Sequence, residues 1–179
     1  MNVIPTRWCV FTGAPCSGKT TVIDELHKLG YAIKPEASRT YIEAELQKGR
    51  TLLEIRGDKQ GYQQMLVRFK SALESTLPPD KLIFLDRALG DNVTYYRLVG
   101  LDPAEVIQLC SPRRYWQVFI FDRLPLIPDN VRTETEEEIA FLDREFELDY
   151  RRLGYNPIRV PVMPIPARVE FILKHIRAE

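Results

Sequence analysis

The sequence predicts an α/β fold, a parallel five-stranded sheet between two layers of helices. Three observations lead there. Short runs rich in apolar and β-forming residues lie at 7–12, 31–34, 81–85, 115–121 and 158–162. Segments with helical apolar spacing separate them, and the first run leads directly into a glycine-bearing loop that opens a helix. Strands alternating with helices pack as a parallel sheet joined by right-handed crossovers.

The first strand, Arg7-Trp8-Cys9-Val10-Phe11-Thr12, has the near-continuous apolar character of a strand buried on both faces. The helix after it spans 19–29, with Val22, Ile23, Leu26 and Leu29 at helical steps and Gly30 as its C′ residue. Tyr31-Ala32-Ile33-Lys34 forms the second strand and stops at Pro35. Residues 38–77 read as helical, with Tyr62, Met65, Leu66, Phe69, Leu73 and Leu77 on one face, and with Gly49, Gly57 and Gly61 dividing the region into separate helices. Lys81-Leu82-Ile83-Phe84-Leu85 is the third strand, ending at Asp86. Short helices follow at 90–98 and 103–109, the second opened by Asp102 as cap and Pro103 at the first helical position. The run 115–121 is the fourth strand. After a polar, proline-bearing stretch at 122–132, a Thr133-x-x-Glu136 capping box opens a long helix that ends near Gly154. The fifth strand, 158–162, carries Pro161 and so belongs at a sheet edge; the last helix covers 167–177.

With 179 residues, the chain is expected to form one domain over 1–179. Lysine plus arginine and aspartate plus glutamate number 25 each, so no global field draws the molecule to nucleic acid or anionic lipid, and anion selectivity must be local. Cys9, Cys16 and Cys110 lack metal-type spacing, and Cys9 and Cys110 lie in apolar stretches as reduced core thiols do. No run approaches the roughly 18–20 apolar residues of a membrane span, and no secretory signal opens the chain. A cytoplasmic protein without membrane insertion is expected.

Gly13-Ala14-Pro15-Cys16-Ser17-Gly18-Lys19-Thr20 matches G-x-x-x-x-G-K-[ST] in full, between a buried strand and a helix. The mechanism needs that context: backbone N–H groups curl around phosphate oxygens and the positive end of the helix points at them. Gly13 and Gly18 allow close approach of backbone to ligand. Lys19 is expected to bridge the β- and γ-phosphates, the Thr20 hydroxyl to ligate Mg2+, and Thr21 to complete the nucleotide-binding segment. Cys16 occupies a variable position, where its thiol needs no role; a lowered thiol pKa at the helix N-terminus would instead make it redox-sensitive.

In parallel sheets ligands bind beyond the carboxyl ends of the strands. Those ends carry Glu36 and Arg39 after the second strand, Asp86 and Arg87 after the third, and Asp122 and Arg123 after the fourth. Asp86 closes an apolar strand as a magnesium-binding acid does; the alternative is a cap or a surface ion pair. Glu36 is either an acceptor-side acid, taking a proton from a substrate hydroxyl or binding sugar hydroxyls, or a simple loop glutamate. Arg39 and Arg87 either fix an anionic or polar acceptor or pair with neighbouring acids. The segment of about 122–133 has the character of a lid, with Arg123 and Arg132 as the cations for a transferring phosphoryl group, Arg132 preferred. The acidic run 134–138 reads as the first turn of a helix, and His27 and His175 have no partner at ligand spacing.

Phe11-Thr12-Gly13 into the loop, Pro35-Glu36-Ala37-Ser38-Arg39, Phe84-Leu85-Asp86-Arg87-Ala88-Leu89-Gly90-Asp91, Tyr95-Tyr96-Arg97 and Leu153-Gly154-Tyr155 together resemble the small AAA-type P-loop family related to the ribosylnicotinamide kinase domain of NadR proteins. The resemblance spans about residues 7–160. It implies the three-layer P-loop nucleoside triphosphate hydrolase fold, kinase-like, with strand order 2-3-1-4-5 and a lid after the fourth strand. It makes Asp86 and Arg87 similar to the pair that serves metal and substrate in such kinases, and Glu36 similar to the acceptor-side acid. Some relatives look like nucleotide-binding or regulatory proteins rather than metabolic kinases. No sensor-arginine region or C-terminal helical domain of a ring motor is legible.

Two functions are therefore expected to compete. In the first, ATP and Mg2+ phosphorylate a small hydroxylated acceptor such as a nucleoside, with GTP as another donor. In the second, nucleotide state switches binding of a protein partner. Nucleic acid is not an expected partner, and the absence of an Asn-Lys-x-Asp element disfavours a Ras-type GTPase.

Overall fold

The computed structural model describes residues 3–124 and 135–177. Along the chain run β1 (Ile4–Pro5), β2 (Trp8–Thr12), α1 (Lys19–Lys28), β3 (Ala32–Lys34), α2 (Ala37–Gln47), α3 (Leu52–Arg56), α4 (Lys59–Ser75), β4 (Ile83–Asp86) and α5 (Asp91–Leu98). They are followed by α6 (Ala104–Cys110), β5 (Arg113–Arg114), β6 (Gln117–Phe121), α7 (Glu136–Arg152), β7 (Ile158–Val160) and α8 (Ile165–Arg177).

Five strands form a parallel sheet in the order β3-β4-β2-β6-β7. With the two-residue strands β1 and β5 left out of the count, that is the expected order 2-3-1-4-5. β1 and β5 pair with each other in parallel, Ile4 opposite Arg113 and Pro5 opposite Arg114. The sequence reading did not anticipate them, because two residues are too few to show a period.

Alternation along β2 divides the core. Cys9 and Phe11 face α1 and α8, packing with Val22, Ile23, Leu26, Phe84, Phe119, Phe121, Val169 and Ile172. Trp8 and Val10 face the opposite layer with Ile83, Leu85, Val118, Ile120 and Tyr150 of α7. Both faces are covered, so the strands read as unbroken apolar runs. Phe11 is the hub of the first layer, with ring centroids 5.4 Å from Phe84, 5.6 Å from Phe119 and 5.0 Å from Phe121.

Local chemistry sets the ends. α1 stops at Gly30, whose φ of 89° suits a residue without Cβ; Gly30 N–H donates to His27 O at 2.9 Å and Tyr31 N–H to Leu26 O at 3.1 Å, closing the last turn. β7 ends at Val160, two residues before the expected end, since Pro161 has no N–H for the ladder, and it lies at the sheet edge as its proline requires.

Two expectations are corrected. α7 is capped by Thr135, not Thr133: the Thr135 hydroxyl accepts from Glu138 N–H while the Glu138 carboxylate accepts from Thr135 N–H. The sequence holds the same Thr-x-x-Glu spacing twice, two residues apart, and the second copy is the one formed. Gly61 does not divide helices. It lies in the first turn of α4, where its N–H donates to the capping Asp58 carboxylate at 3.0 Å. Gly49 and Gly57 do fall at breaks, before and after α3. Beyond residue 124 the expected lid, with Arg132 and Thr133, lies outside the described residues. Among the described residues no helix is long and apolar enough to cross a membrane.

Because Phe11 alone bridges three other rings of its layer, Phe11→Ala is expected to cost about 3–5 kcal/mol. The exposed Leu53→Ala control should stay within about 0.5 kcal/mol. Urea unfolding midpoints at unchanged slope read both values.

Candidate functional site

The parallel sheet brings the carboxyl ends of its strands to one edge, and each end delivers a polar segment there. β2 runs into the loop 13–18, β3 into Pro35 and Glu36, β4 into Asp86 and Arg87, and β6 into Asp122 and Arg123.

The loop curls tightly where β2 meets α1. Gly13 has φ 128°, and a Cβ there would lie 2.6 Å from the Phe121 carbonyl oxygen, so only glycine lets the loop pass the end of β6. Gly18, with φ 82°, opens α1, and Cys16 is held at φ 58° with its side chain exposed. The concave run of backbone N–H groups at the start of α1 is a surface on which an anion is stabilised.

Lys19 is buried. Its ammonium donates to Gly13 O at 3.2 Å, Ala14 O at 3.0 Å and Ser17 Oγ at 3.0 Å, so the charge folds back over the loop's own acceptors. Burial lowers its pKa to about 8, with the Arg87 cation adding to the effect and Asp86, Glu36 and Asp91 opposing it. The Thr20 hydroxyl donates to Asp86 Oδ2 at 2.8 Å. Asp86 is 2 % exposed and its Oδ1 has no hydrogen-bond partner among the described residues. Burial raises the Asp86 pKa, reinforced by the Glu36 carboxylate and resisted chiefly by Lys19. A hydroxyl and a carboxylate in contact, with one buried carboxylate oxygen left over, suit a hard cation that takes oxygen ligands and completes its shell from phosphate and water. Among the described residues no group of three or more His, Cys, Asp or Glu forms an all-protein metal cage.

Arg87 follows Asp86 in a left-handed conformation, φ 63°. The turn is held because Arg87 N–H donates to Phe11 O at 2.9 Å and Ala88 N–H to Asp91 Oδ2 at 2.8 Å. The guanidinium is buried; Nη1 donates to Asp91 Oδ1 at 3.1 Å, Nη2 to Gly13 O at 3.0 Å, and Nε lies 3.4 Å from Glu36 Oε1. Asp91, fully buried, also accepts from the Thr12 hydroxyl and, at 2.8 Å, from Tyr150 OH. Arg87 therefore pairs with neighbouring acids while bordering the cleft.

Glu36 is half-buried, and Ser38 Oγ donates to its Oε1 at 2.8 Å. Burial pushes its pKa up, but Arg87, the Ser38 hydroxyl, Lys70 and Lys19 together outweigh that and leave it below the usual glutamate value. It is held in a cationic pocket and is not a free loop glutamate.

The other expected residues are less engaged. Arg39 is exposed on α2 and makes no ion pair among the described residues. Asp122 accepts from Arg159 Nε at 2.7 Å and is occupied there. Arg123 pairs with Glu136, Nη2 to Oε1 at 2.6 Å, which joins the two stems of the intervening segment. Ala14, Pro15, Ser17 and Thr21 take the positions in and after the loop that the motif gives them.

Three residues escaped the sequence reading. In the sequence Asp91 stands out only as the end of the run 84–91. Lys70, buried on α4, donates to Ala88 O at 3.3 Å; burial lowers its pKa while Asp91 and Glu36 resist. Its signal was a lysine four residues after Leu66 and three before Leu73, inside the apolar stripe. Arg168 of α8 reaches Ser17 O at 2.6 Å, and no periodicity marks it.

A family model described as an AAA domain matches residues 8–168, nine-tenths of the chain. No curated protein sequence matches. Among solved structures, thymidylate kinase from Ehrlichia chaffeensis superposes with TM-score 0.67 and 15 % identity, over 95 % of this chain and 97 % of that one. Deoxyadenosine kinase from M. mycoides gives 0.65 and 15 %, over 96 % and 98 %. A NadR protein in complex with NR gives 0.63 and 18 %, over 87 % of this chain and 43 % of that one. Identities this low establish a shared fold.

Removing Asp91 takes away the principal counter-ion of a buried guanidinium and the acceptor of three further donors. Asp91→Ala is expected to cost about 3–5 kcal/mol, read as a lowered urea midpoint.

Proposed function

Since the chain belongs to the AAA domain family of P-loop proteins, we propose that it is a small-molecule kinase. It transfers the terminal phosphoryl group of ATP, or of GTP, to a hydroxyl of a nucleoside or nucleotide-like metabolite. The observation that carries this reading is the placing of two unlike carboxylates on either side of Arg87: Asp86 beside the Thr20 hydroxyl, and Glu36 held by Arg87 and Ser38. A protein that only bound triphosphate would need the first and not the second. The kinases of similar fold named above support the reading, since they carry this architecture along nearly their whole length.

On this reading the N–H groups of residues 16–21 hold the phosphates, and Lys19 exchanges the carbonyls of Gly13 and Ala14 for phosphate oxygens. The swap is favourable because a buried ammonium that shares three neutral acceptors gains an anionic partner. The Thr20 hydroxyl and the Asp86 carboxylate would hold Mg2+, which would neutralise charge on the phosphates. Glu36, kept ionised by Arg87, accepts a hydrogen bond from the acceptor hydroxyl, orients it and takes its proton as the bond to the γ-phosphorus forms and the bond to the bridging oxygen of the departing nucleoside diphosphate breaks. Arg87 steadies Glu36 and borders the acceptor, and Arg39, exposed on α2, is the further candidate to contact it. Arg123 would add positive charge near the transferring group on leaving Glu136, with Arg132, outside the described residues, as the other candidate cation.

Incubation with ATP, Mg2+ and a panel of nucleosides and nucleotides, read by mass spectrometry, is expected to give a phosphorylated product. Glu36→Gln should lower kcat by about 10²–10⁴-fold while ATP affinity stays within error. Slow hydrolysis alone across the panel would overturn the kinase reading and leave a nucleotide-dependent switch acting on a protein partner.

A further inference from the structure

Arg168 stands in the first turn of α8. The residue is 2 % exposed. Nη1 donates to Ser17 O at 2.6 Å and Nε to Pro161 O at 3.1 Å, and the guanidinium lies 5.6 Å from the centroid of the Phe121 ring. Nη2 is buried and has no hydrogen-bond partner among the described residues. Among those residues no carboxylate lies within ion-pair distance of Arg168; Asp122, an acid whose charge acts on it, is committed to Arg159. A Cβ on Gly18 would lie 3.0 Å from Nη1, so the guanidinium packs directly beneath the glycine that opens α1.

Two consequences follow from elementary geometry and electrostatics. A trans peptide holds its C=O and N–H in opposite directions. With the Ser17 carbonyl drawn towards Arg168, the N–H of Gly18 is turned away from α8 and into the concave side of the loop. The second consequence concerns charge. A buried cation whose partners among the described residues are two carbonyl dipoles and a ring face is unfavourable, and an anion brought to the other side of a single peptide layer relieves it. The ligand that offers such charge at this place is a polyphosphate chain.

We propose that Arg168 is a positioning residue of the phosphate loop, fixing the Ser17–Gly18 peptide for phosphate and supplying a buried positive charge whose counter-ion is the polyphosphate. Arg168 thereby ties the last helix to occupancy of the loop. The proposal rests on the triphosphate-binding half of the function above and is independent of phosphoryl transfer. It also implies that the effect of Arg168 is blind to the base.

The test measures affinity for ATP, GTP and inorganic tripolyphosphate, each with Mg2+, by calorimetry on the wild type, Arg168→Gln and Arg168→Lys, together with thermal unfolding without and with ATP. In Arg168→Gln, affinity for all three ligands is expected to fall by about 10-fold or more, as for loss of a hydrogen bond from a charged group. The unfolding temperature without ligand should stay close to wild type, and the increase caused by ATP should shrink. Arg168→Lys keeps the charge but cannot bridge two carbonyls, so its affinities should lie between the two; it also carries the test if the glutamine variant does not fold. Wild-type affinity for tripolyphosphate in either folded variant overturns the proposal, as does a loss confined to ATP and GTP, which would mark a contact to the nucleoside. If the wild type binds none of the three ligands, the triphosphate reading itself fails.

Discussion

The site depends on a buried ion pair at the turn after β4. Arg87 reaches Asp91 on one side, the Gly13 carbonyl on another and Glu36 on a third, so one guanidinium joins the phosphate loop, the end of β4 and the end of β3. These three segments are far apart in sequence. Arginine suits the role because its planar fork serves several acceptors at fixed angles and its charge survives burial. The left-handed backbone of Arg87 is the cost of turning the side chain back across the sheet edge, and the hydrogen bonds to Phe11 and Asp91 hold it there.

Around that pair, charges alternate along the sheet edge. Lys19, Arg87 and Lys70 lie among Asp86, Glu36, Asp91 and Glu74; Glu36 is half-buried and the others are buried. Each acid answers to a different local balance. For Glu36 the neighbouring cations win against burial, while for Asp86 burial and the Glu36 charge win against Lys19. The two carboxylates are thus shifted in opposite directions from their ordinary values although both stand at one edge of the sheet. A cation at Asp86 would add the missing positive charge and satisfy its spare oxygen, whereas Glu36 already has its partners.

Much of the architecture was legible because both of its signals are local. Continuous apolar runs flanked by amphipathic helices gave a parallel sheet, and the loop motif located its edge. Asp86 was legible as the polar residue closing an apolar strand. What stayed hidden depends on contacts distant in sequence. Nothing near Arg87 said that it would lie under Gly13, nothing near Arg168 that it would reach Ser17, and Lys70 looked like a charge on a helix until α4 was packed against the turn at Ala88. The displaced cap of α7 is a different failure: Thr133 and Thr135 offer the same spacing, and only the packed position of the helix selects between them.

The central claim is that Thr20 and Asp86 together hold the metal that accompanies a triphosphate on this loop. Calorimetric titration of ATP into the wild type and into Asp86→Ala, with Mg2+ and with a chelator in its place, tests it directly. In the wild type, Mg2+ should strengthen ATP binding by about 10-fold or more, the worth of a charge-assisted contact. Asp86→Ala should lose most of that increment yet bind metal-free ATP at least as tightly, because a carboxylate near the phosphates has gone. An Mg2+ increment of the same size in both proteins would contradict the account.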